Sequence, residues 1–225
     1  MIAPYKGTFR ISQTWNNLRS NGTLHQGFDL VGIADKRLYS PVYGTVVRAG
    51  WENPKNAKQG WGRRVVVRIG KTRFYMYFGH LSSIAVTAGQ TVKPGDLIGI
   101  EGSTGHSTGS HLHWEIRESD NHSLYRDMPQ YSGIPNVTSR TARTSAWDGS
   151  LLGSTTLAAG RNSYPAAIHN ATLQARLSDL GFDAGDPDGL FGAKTTAAVK
   201  QFQLSRSLTV DGKVGVKTKA ALFAP

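Results

Sequence analysis

From Thr45 to Arg117, apolar and polar positions alternate in short runs cut by glycine: TVVRAG, RRVVVRIG, TRFYMYFGH, DLIGIEG and HLHWEIR. Such runs at this spacing predict a mostly antiparallel β unit. VTAGQTVKPGDLIG carries turn chemistry at A-G-Q and at K-P-G-D and reads as hairpin punctuation. On a strand, HLHWEIR places Leu112, Trp114 and Ile116 on a core-facing side. His111, His113, Glu115 and Arg117 then share the opposite side and line a groove. After Pro165 the period becomes helical, with Leu173, Leu177 and Leu180 on one stripe that ends at Gly181. Ala197, Ala198, Val199, Phe202 and Leu204 supply a second apolar helix. Between these regions, residues 129–164 are rich in Ser, Thr, Gly and Asn and read as a linker. Trp147, Leu151 and Leu152 are its candidates for packing against a neighbour.

The C-terminal part repeats itself. DGLFGAKTTAAV from Asp188 and DGKVGVKTKAAL from Asp211 share Asp, Gly, Gly, Lys, Thr, Ala and Ala in register. Each copy predicts a tight Asp-Gly turn, then a helix with Thr195 or Thr218 near its N-cap. With the helix around Leu173, the two copies make a three-helix bundle over residues 165–225. The expected architecture is an antiparallel β domain over 1–128, a linker over 129–164 and an all-α domain over 165–225.

Composition narrows the chemistry. The chain has 225 residues, enough for two compact units. It has no cysteine, which excludes a disulfide framework, a thiolate zinc finger and a cysteine nucleophile. No apolar run reaches the roughly 18 residues of a membrane-spanning helix. MIAPYKGTFRISQ has no apolar core of signal-peptide length. The expectation is a protein made in the cytoplasm and released to act outside, or a secreted one whose leader is missing. The net charge is +11, a field that attracts polyanions such as acidic wall polymers. The excess lies mainly in residues 1–128, with 16 basic and 9 acidic side chains. Arg63, Arg64, Arg68, Lys71 and Arg73 alternate with Val65, Val67 and Ile69, like the wet face and ends of a hairpin. No nucleic-acid motif accompanies them, so nucleic acid is not an expected partner.

Histidine carries the candidate chemistry. His25 and Asp29 lie in HQGFD, where Gly27 argues for a strand or extended loop that points both groups the same way. His111 and His113 form an H-x-H on a predicted strand, and His80 ends the aromatic run FYMYFGH. Two imidazoles, one carboxylate and an open fourth position make a catalytic zinc site, and this set provides it with histidine to spare. His106 belongs to the small-residue loop EGSTGHSTGS and suits a groove rim. His122 and His169 have no partner pattern and read as bystanders.

These motifs resemble the lysostaphin-type (LytM-like) zinc metallopeptidases that cut peptidoglycan. The likeness runs from about Phe9 to Arg117 through HQGFD, SPVYGTVVRAG, YFGHLS, AGQTVKPGDLIG and STGSHLHWEIR, in family order. It implies that His25, Asp29 and His113 hold Zn²⁺ and that His80 and His111 are the catalytic histidines. YFGHLS departs from the small residue often found before the family's Gly-His, without touching those positions. LQARLSDLGF, DPDGLFGAKTTAAVKQFQ and LTVDGKVGVKTKAAL resemble a type-1 peptidoglycan-binding domain. Bacterial peptidoglycan is then the implied substrate and partner of both domains.

No H-E-x-x-H supplies a helix-borne base, so histidine is expected to do proton transfer. His111 is expected to take a proton from the attacking water, and His80 to hydrogen-bond the oxyanion or leaving group. Glu115 is expected either to orient a ligand or to form a strand salt bridge. The positive charge implies wall binding that weakens as salt rises. The domain order resembles a phage endolysin. The alternatives are a bacterial autolysin of the same chemistry, a non-catalytic activator of a wall amidase, and a basic nucleic-acid binder.

Overall fold

The computed structural model describes residues 1–119, 124–144 and 148–224. It has two compact units that meet in the chain at about residue 147. Among the described residues the first carries eleven strands: β1 (Gly7–Gln13), β2 (Phe28–Gly32), β3 (Arg37–Tyr39), β4 (Gly44–Trp51), β5 (Arg63–Ile69), β6 (Tyr75–Gly79), β7 (Ser83–Ile84), β8 (Thr91–Val92), β9 (Leu97–Ile100), β10 (Leu112–Arg117) and β11 (Thr141–Thr144). Eight form one sheet in the order β11-β1-β2-β10-β6-β5-β4-β8, and β3-β9-β7 form a second. The pairs β1–β2, β2–β10, β10–β6 and β6–β5 are antiparallel. This is the β unit that the alternating runs predict. Leu112, Trp114 and Ile116 are fully buried, as their side of the β10 alternation requires.

The second unit holds a 3₁₀ turn (Gly149–Leu152) and the helices α2 (Ala166–Asp179), α3 (Ala193–Ser205) and α4 (Val216–Leu222); a short α1 (Met128–Ser132) belongs to the first unit. Leu173, Leu177, Phe191, Ala198, Val199, Phe202 and Leu222 make its core. This is the expected three-helix bundle, with two local differences. Ala197 and Leu204 of the predicted apolar helix are exposed, because Ala198, Val199 and Phe202 already fill the inward stripe. Thr195 and Thr218 lie near the N-caps as expected, but Gly192 and Gly215 occupy the N-cap positions themselves. Both threonines lie buried one turn further in, where each accepts from a glutamine amide, Gln174 at 3.2 Å and Gln203 at 3.3 Å.

Those glutamines explain the repeat. Gln174 Nε2 donates to Asp188 Oδ1 at 2.9 Å while its Oε1 accepts from the Gly189 amide at 3.0 Å. Gln203 does the same to Asp211 and Gly212, at 2.8 and 2.9 Å. Each Asp-Gly turn is thus clamped by a buried amide from the preceding helix, with donor and acceptor both satisfied.

Residues 129–164 are not the free linker that their composition predicts. β11 adds to the sheet edge by pairing with β1, and Leu151, Leu152 and Leu157 are buried in the second unit. Small polar composition hides these few apolar anchors. Trp147 and His122 lie outside the described residues. His169 is buried in α2, and its Nδ1–H donates to the Leu151 carbonyl at 3.1 Å. From α4, Lys219 Nζ donates to the carbonyls of Leu152, Gly153 and Thr155 at 3.2, 2.7 and 2.6 Å. Burial and the nearby Lys219 charge push the His169 ring down to about 4 despite its bond to Leu151. The unfolded chain, titrating near 6.5, binds more protons than the folded one between these values. The stability His169 contributes is therefore complete above about pH 6.5 and is lost as pH falls toward 4. Taking the protein from pH 7 to 4 is expected to remove on the order of 3 kcal/mol from the second unit through this group. Denaturant melts of the full chain check this. A pH slope in His169→Gln as steep as that of the unsubstituted protein would contradict it.

Candidate metal centre and active site

The central sheet assembles the site by register. Asp29 on β2 sits directly opposite His113 on β10, and His113 sits opposite Gly79 on β6. One row across three strands thus brings Asp29, His113 and the residue after Gly79, His80, to one place. His25 comes from the loop before β2. Gly27 lets that loop lie on β10, since a Cβ there would meet the Trp114 carbonyl oxygen at 2.5 Å. Gly79 likewise leaves room for the Trp61 ring, which a Cβ would meet at 2.6 Å. Trp61 stands edge-on to His113, with ring centroids 4.7 Å apart.

Four ring orientations are fixed by acceptors, because carbonyl and carboxylate oxygens only accept. His25 Nδ1 donates to the Thr14 carbonyl at 2.9 Å, His80 Nδ1 to the Thr104 carbonyl at 2.8 Å and His111 Nδ1 to the Gly109 carbonyl at 2.8 Å. His113 Nε2 donates to Glu115 Oε2 at 3.1 Å. The opposite nitrogens of His25 and His113 turn inward. His25 Nε2 lies 3.0 Å from His113 Nδ1 and 3.1 Å from Asp29 Oδ1, and His113 Nδ1 lies 2.7 Å from the same oxygen.

His25, Asp29 and His113 are buried, and their three donor atoms all lie within 4.8 Å of one another. With His25 and His113 each holding a proton on the outer nitrogen, both inner nitrogens and a carboxylate oxygen converge on one point, where a bound cation would draw on all three. A cation resolves that convergence. Two nitrogens and one oxygen, with the cleft open on the fourth side, fit Zn²⁺. Without a cation, a proton between the inner nitrogens and Asp29 holds the cluster together. Burial would raise the Asp29 carboxyl, but hydrogen bonds from His113 and His25 outweigh it and hold it well below the usual carboxylate range. Burial would lower the His113 ring, but Asp29 and Glu115 hold it up at about 9.

His80 and His111 flank this cluster with ring centroids 4.7 Å apart. His111 Nε2 is 3.8 Å from Asp29 Oδ2. His80 adopts a left-handed backbone, φ 64°, at a cost of about 1 kcal/mol for a non-glycine residue. Its amide bond to the Trp61 carbonyl at 2.8 Å and its ring bond to Thr104 hold it there. Burial, reinforced by His111, pushes the His80 ring down to about 4, so it is neutral with its Nε2 lone pair directed away from Thr104. Asp29, His80, His111 and His113 line a cleft of roughly 710 Å³ together with Arg19, Trp61, Ser107, Arg117 and Tyr125, while His25 is fully buried.

Residues 23–124 match the sequence profile of peptidase family M23, and residues 171–222 match that of a peptidoglycan binding domain. The chain carries an M23 peptidase domain. Its M23 region is 33% identical over 114 residues to lysostaphin of Staphylococcus simulans, covering 48% of this chain and 22% of that protein. It is 40% identical over 139 residues to the peptidoglycan DD-endopeptidase ShyA of Vibrio cholerae, covering 59% of this chain and 31% of that one. The chain thus spans less than a third of the length of these curated relatives. The crystallised catalytic domain of lysostaphin from Staphylococcus simulans aligns with 56% of this chain and 89% of its own at 30% identity, with a TM-score of 0.43.

The structure brings Asp29, His80, His111 and His113 to one cleft, with buried His25 in contact with Asp29 and His113. His106 is exposed on its rim, and His169 stands outside the M23 domain altogether. The sequence reading missed the groups that orient the rings. Thr14, Thr104 and Gly109 act through backbone carbonyls, which leave no trace in side-chain identity. Glu101 was missed as well. It is buried and accepts from Ser110 Oγ at 2.7 Å, Tyr5 Oη at 2.6 Å and the Gly32 amide at 2.7 Å, tying the small-residue loop before His111 to the end of β2. Trp61 was missed too, although a lone Trp between glycines in QGWGRR signals a ring seated against backbone.

Proposed function

We propose that this protein is a zinc-dependent endopeptidase that hydrolyses peptide bonds in the stem or cross-bridge of bacterial peptidoglycan. In this reading the C-terminal unit binds the wall and raises the local substrate concentration. The carrying observation is the convergence of three donor atoms, His25 Nε2, Asp29 Oδ1 and His113 Nδ1, beside two further histidines at one open cleft. Zinc held by those donors would supply Lewis acidity to the scissile carbonyl and make water more acidic. His111, anchored through Nδ1 to Gly109, accepts a proton from the attacking water at Nε2 as the new C–O bond forms. His80 sits beside it; neutral and with Nδ1–H on Thr104, its Nε2 lone pair can accept a hydrogen bond from the N–H of the leaving group. The proton taken from water goes to the departing amine nitrogen as the C–N bond breaks.

The pairing of a peptidase domain with a wall-binding domain in one chain supports a bacteriolytic, endolysin-like role. The +11 charge supports anionic wall polymers as secondary partners. The test is the release of soluble peptides from purified sacculi. We expect release that stops with a zinc chelator and returns on adding zinc. Release unaffected by the chelator would overturn the zinc mechanism. Binding to sacculi without release from any cross-link type would favour an activator of another hydrolase.

A further inference from the structure

The outer nitrogen of His113 leads into a second buried array. Glu115 Oε2 accepts from His113 Nε2 at 3.1 Å, and its Oε1 accepts from Arg117 Nε. Glu115 and Arg117 are 1% and 3% exposed. The Arg117 guanidinium packs over Tyr77, Tyr125 and Trp61, 4.6, 4.8 and 5.2 Å from the ring centroids. A buried ion pair of this kind returns little more than its desolvation costs, so stability alone does not account for it. Its direction does. A carboxylate on the outer nitrogen keeps a proton there, so that the inner nitrogen is the one that turns its lone pair to a cation.

We propose that Glu115, held in place by Arg117, is a positioning residue for the metal centre. It locks His113 in its Nε2–H tautomer and aims the Nδ1 lone pair at the point shared with His25 and Asp29. The aromatic cage makes this a directed bond. Tyr77, Trp61 and Tyr125 confine the guanidinium, the guanidinium confines the carboxylate, and the carboxylate confines the ring. The inference rests on the zinc reading above.

The test is the zinc affinity of the full-length protein, measured by competition with a chromogenic chelator. Glu115→Gln keeps an acceptor oxygen and is expected to bind zinc within a few-fold of the unsubstituted protein. Glu115→Leu combined with Arg117→Met keeps the volume apolar and leaves no buried charge. It is expected to bind zinc 10–100-fold more weakly, with its metal-free melting temperature as the check on folding. A second measurement does not depend on any variant: long-range imidazole NMR correlations of the zinc-loaded protein should show His113 protonated at Nε2. Equal zinc affinity in the folded double variant overturns the proposal alone; a proton on Nδ1 overturns it together with the assignment of His113 Nδ1 as a donor. Failure of the unsubstituted protein to bind zinc overturns the zinc reading and this one together.

Discussion

Replacing His113 with alanine is expected to abolish zinc retention and peptidase activity together. His113 sits at the centre of the row that joins β2, β10 and β6, and its Nδ1 is within 3.0 Å of both other donors. Without it, His25 Nε2 and Asp29 Oδ1 remain as a two-donor fragment, and Glu115 loses the ring it orients. A catalytic zinc with three protein donors does not survive the loss of one at ordinary metal concentrations. We expect metal content measured by mass spectrometry to fall from one zinc per chain to background, and release from sacculi to fall by at least about three orders of magnitude. His113→Ala that stays fully active would refute the assignment. One that stays folded, keeps its zinc and loses activity would move His113 from ligand to proton carrier.

His80 and His111 should separate from the ligands in the same assay. Substituting either is expected to leave zinc content at one per chain while activity drops about 10²–10⁴-fold, the range of a lost general acid or base. The substitutions need choosing with the backbone in mind. His111 precedes β10 and tolerates alanine. His80 has φ 64°, and asparagine accepts that conformation better than alanine does, so His80→Asn isolates the ring from the backbone. Loss of zinc in either variant, with the fold intact, would contradict the division of roles.

Much of this site is legible in the chain because strand periodicity does the placing. H-x-H on an alternating strand commits His111, His113, Glu115 and Arg117 to one face, and β10 places the last three there. The apolar partners Leu112, Trp114 and Ile116 are fully buried behind them. For Glu115 the chain allows a contact to a ligand or a strand salt bridge, and the structure shows contacts to both His113 and Arg117. What the chain does not display is register. Nothing in HQGFD states that Asp29 faces His113 across a ladder, because pairing between segments 84 residues apart is set by the whole sheet. β1 and β11 escaped for different reasons. GTFRISQ alternates like its neighbours but lies ahead of the run that draws attention, and TART is too short and polar to stand out from Ser- and Thr-rich surroundings. In the second unit, the 23-residue repeat announced two turn–helix copies. It did not announce Gln174 and Gln203, which precede their Asp-Gly turns by different distances and so fall out of register with the repeat.

The most direct test of the account is to map the new chain ends in peptides released from purified sacculi, by mass spectrometry, with and without a zinc chelator. The account predicts new amino and carboxyl termini within the peptide stems or cross-bridges, present with zinc and absent with chelator. Fragments cut in the glycan, or peptide termini that appear equally in the presence of chelator, would contradict it.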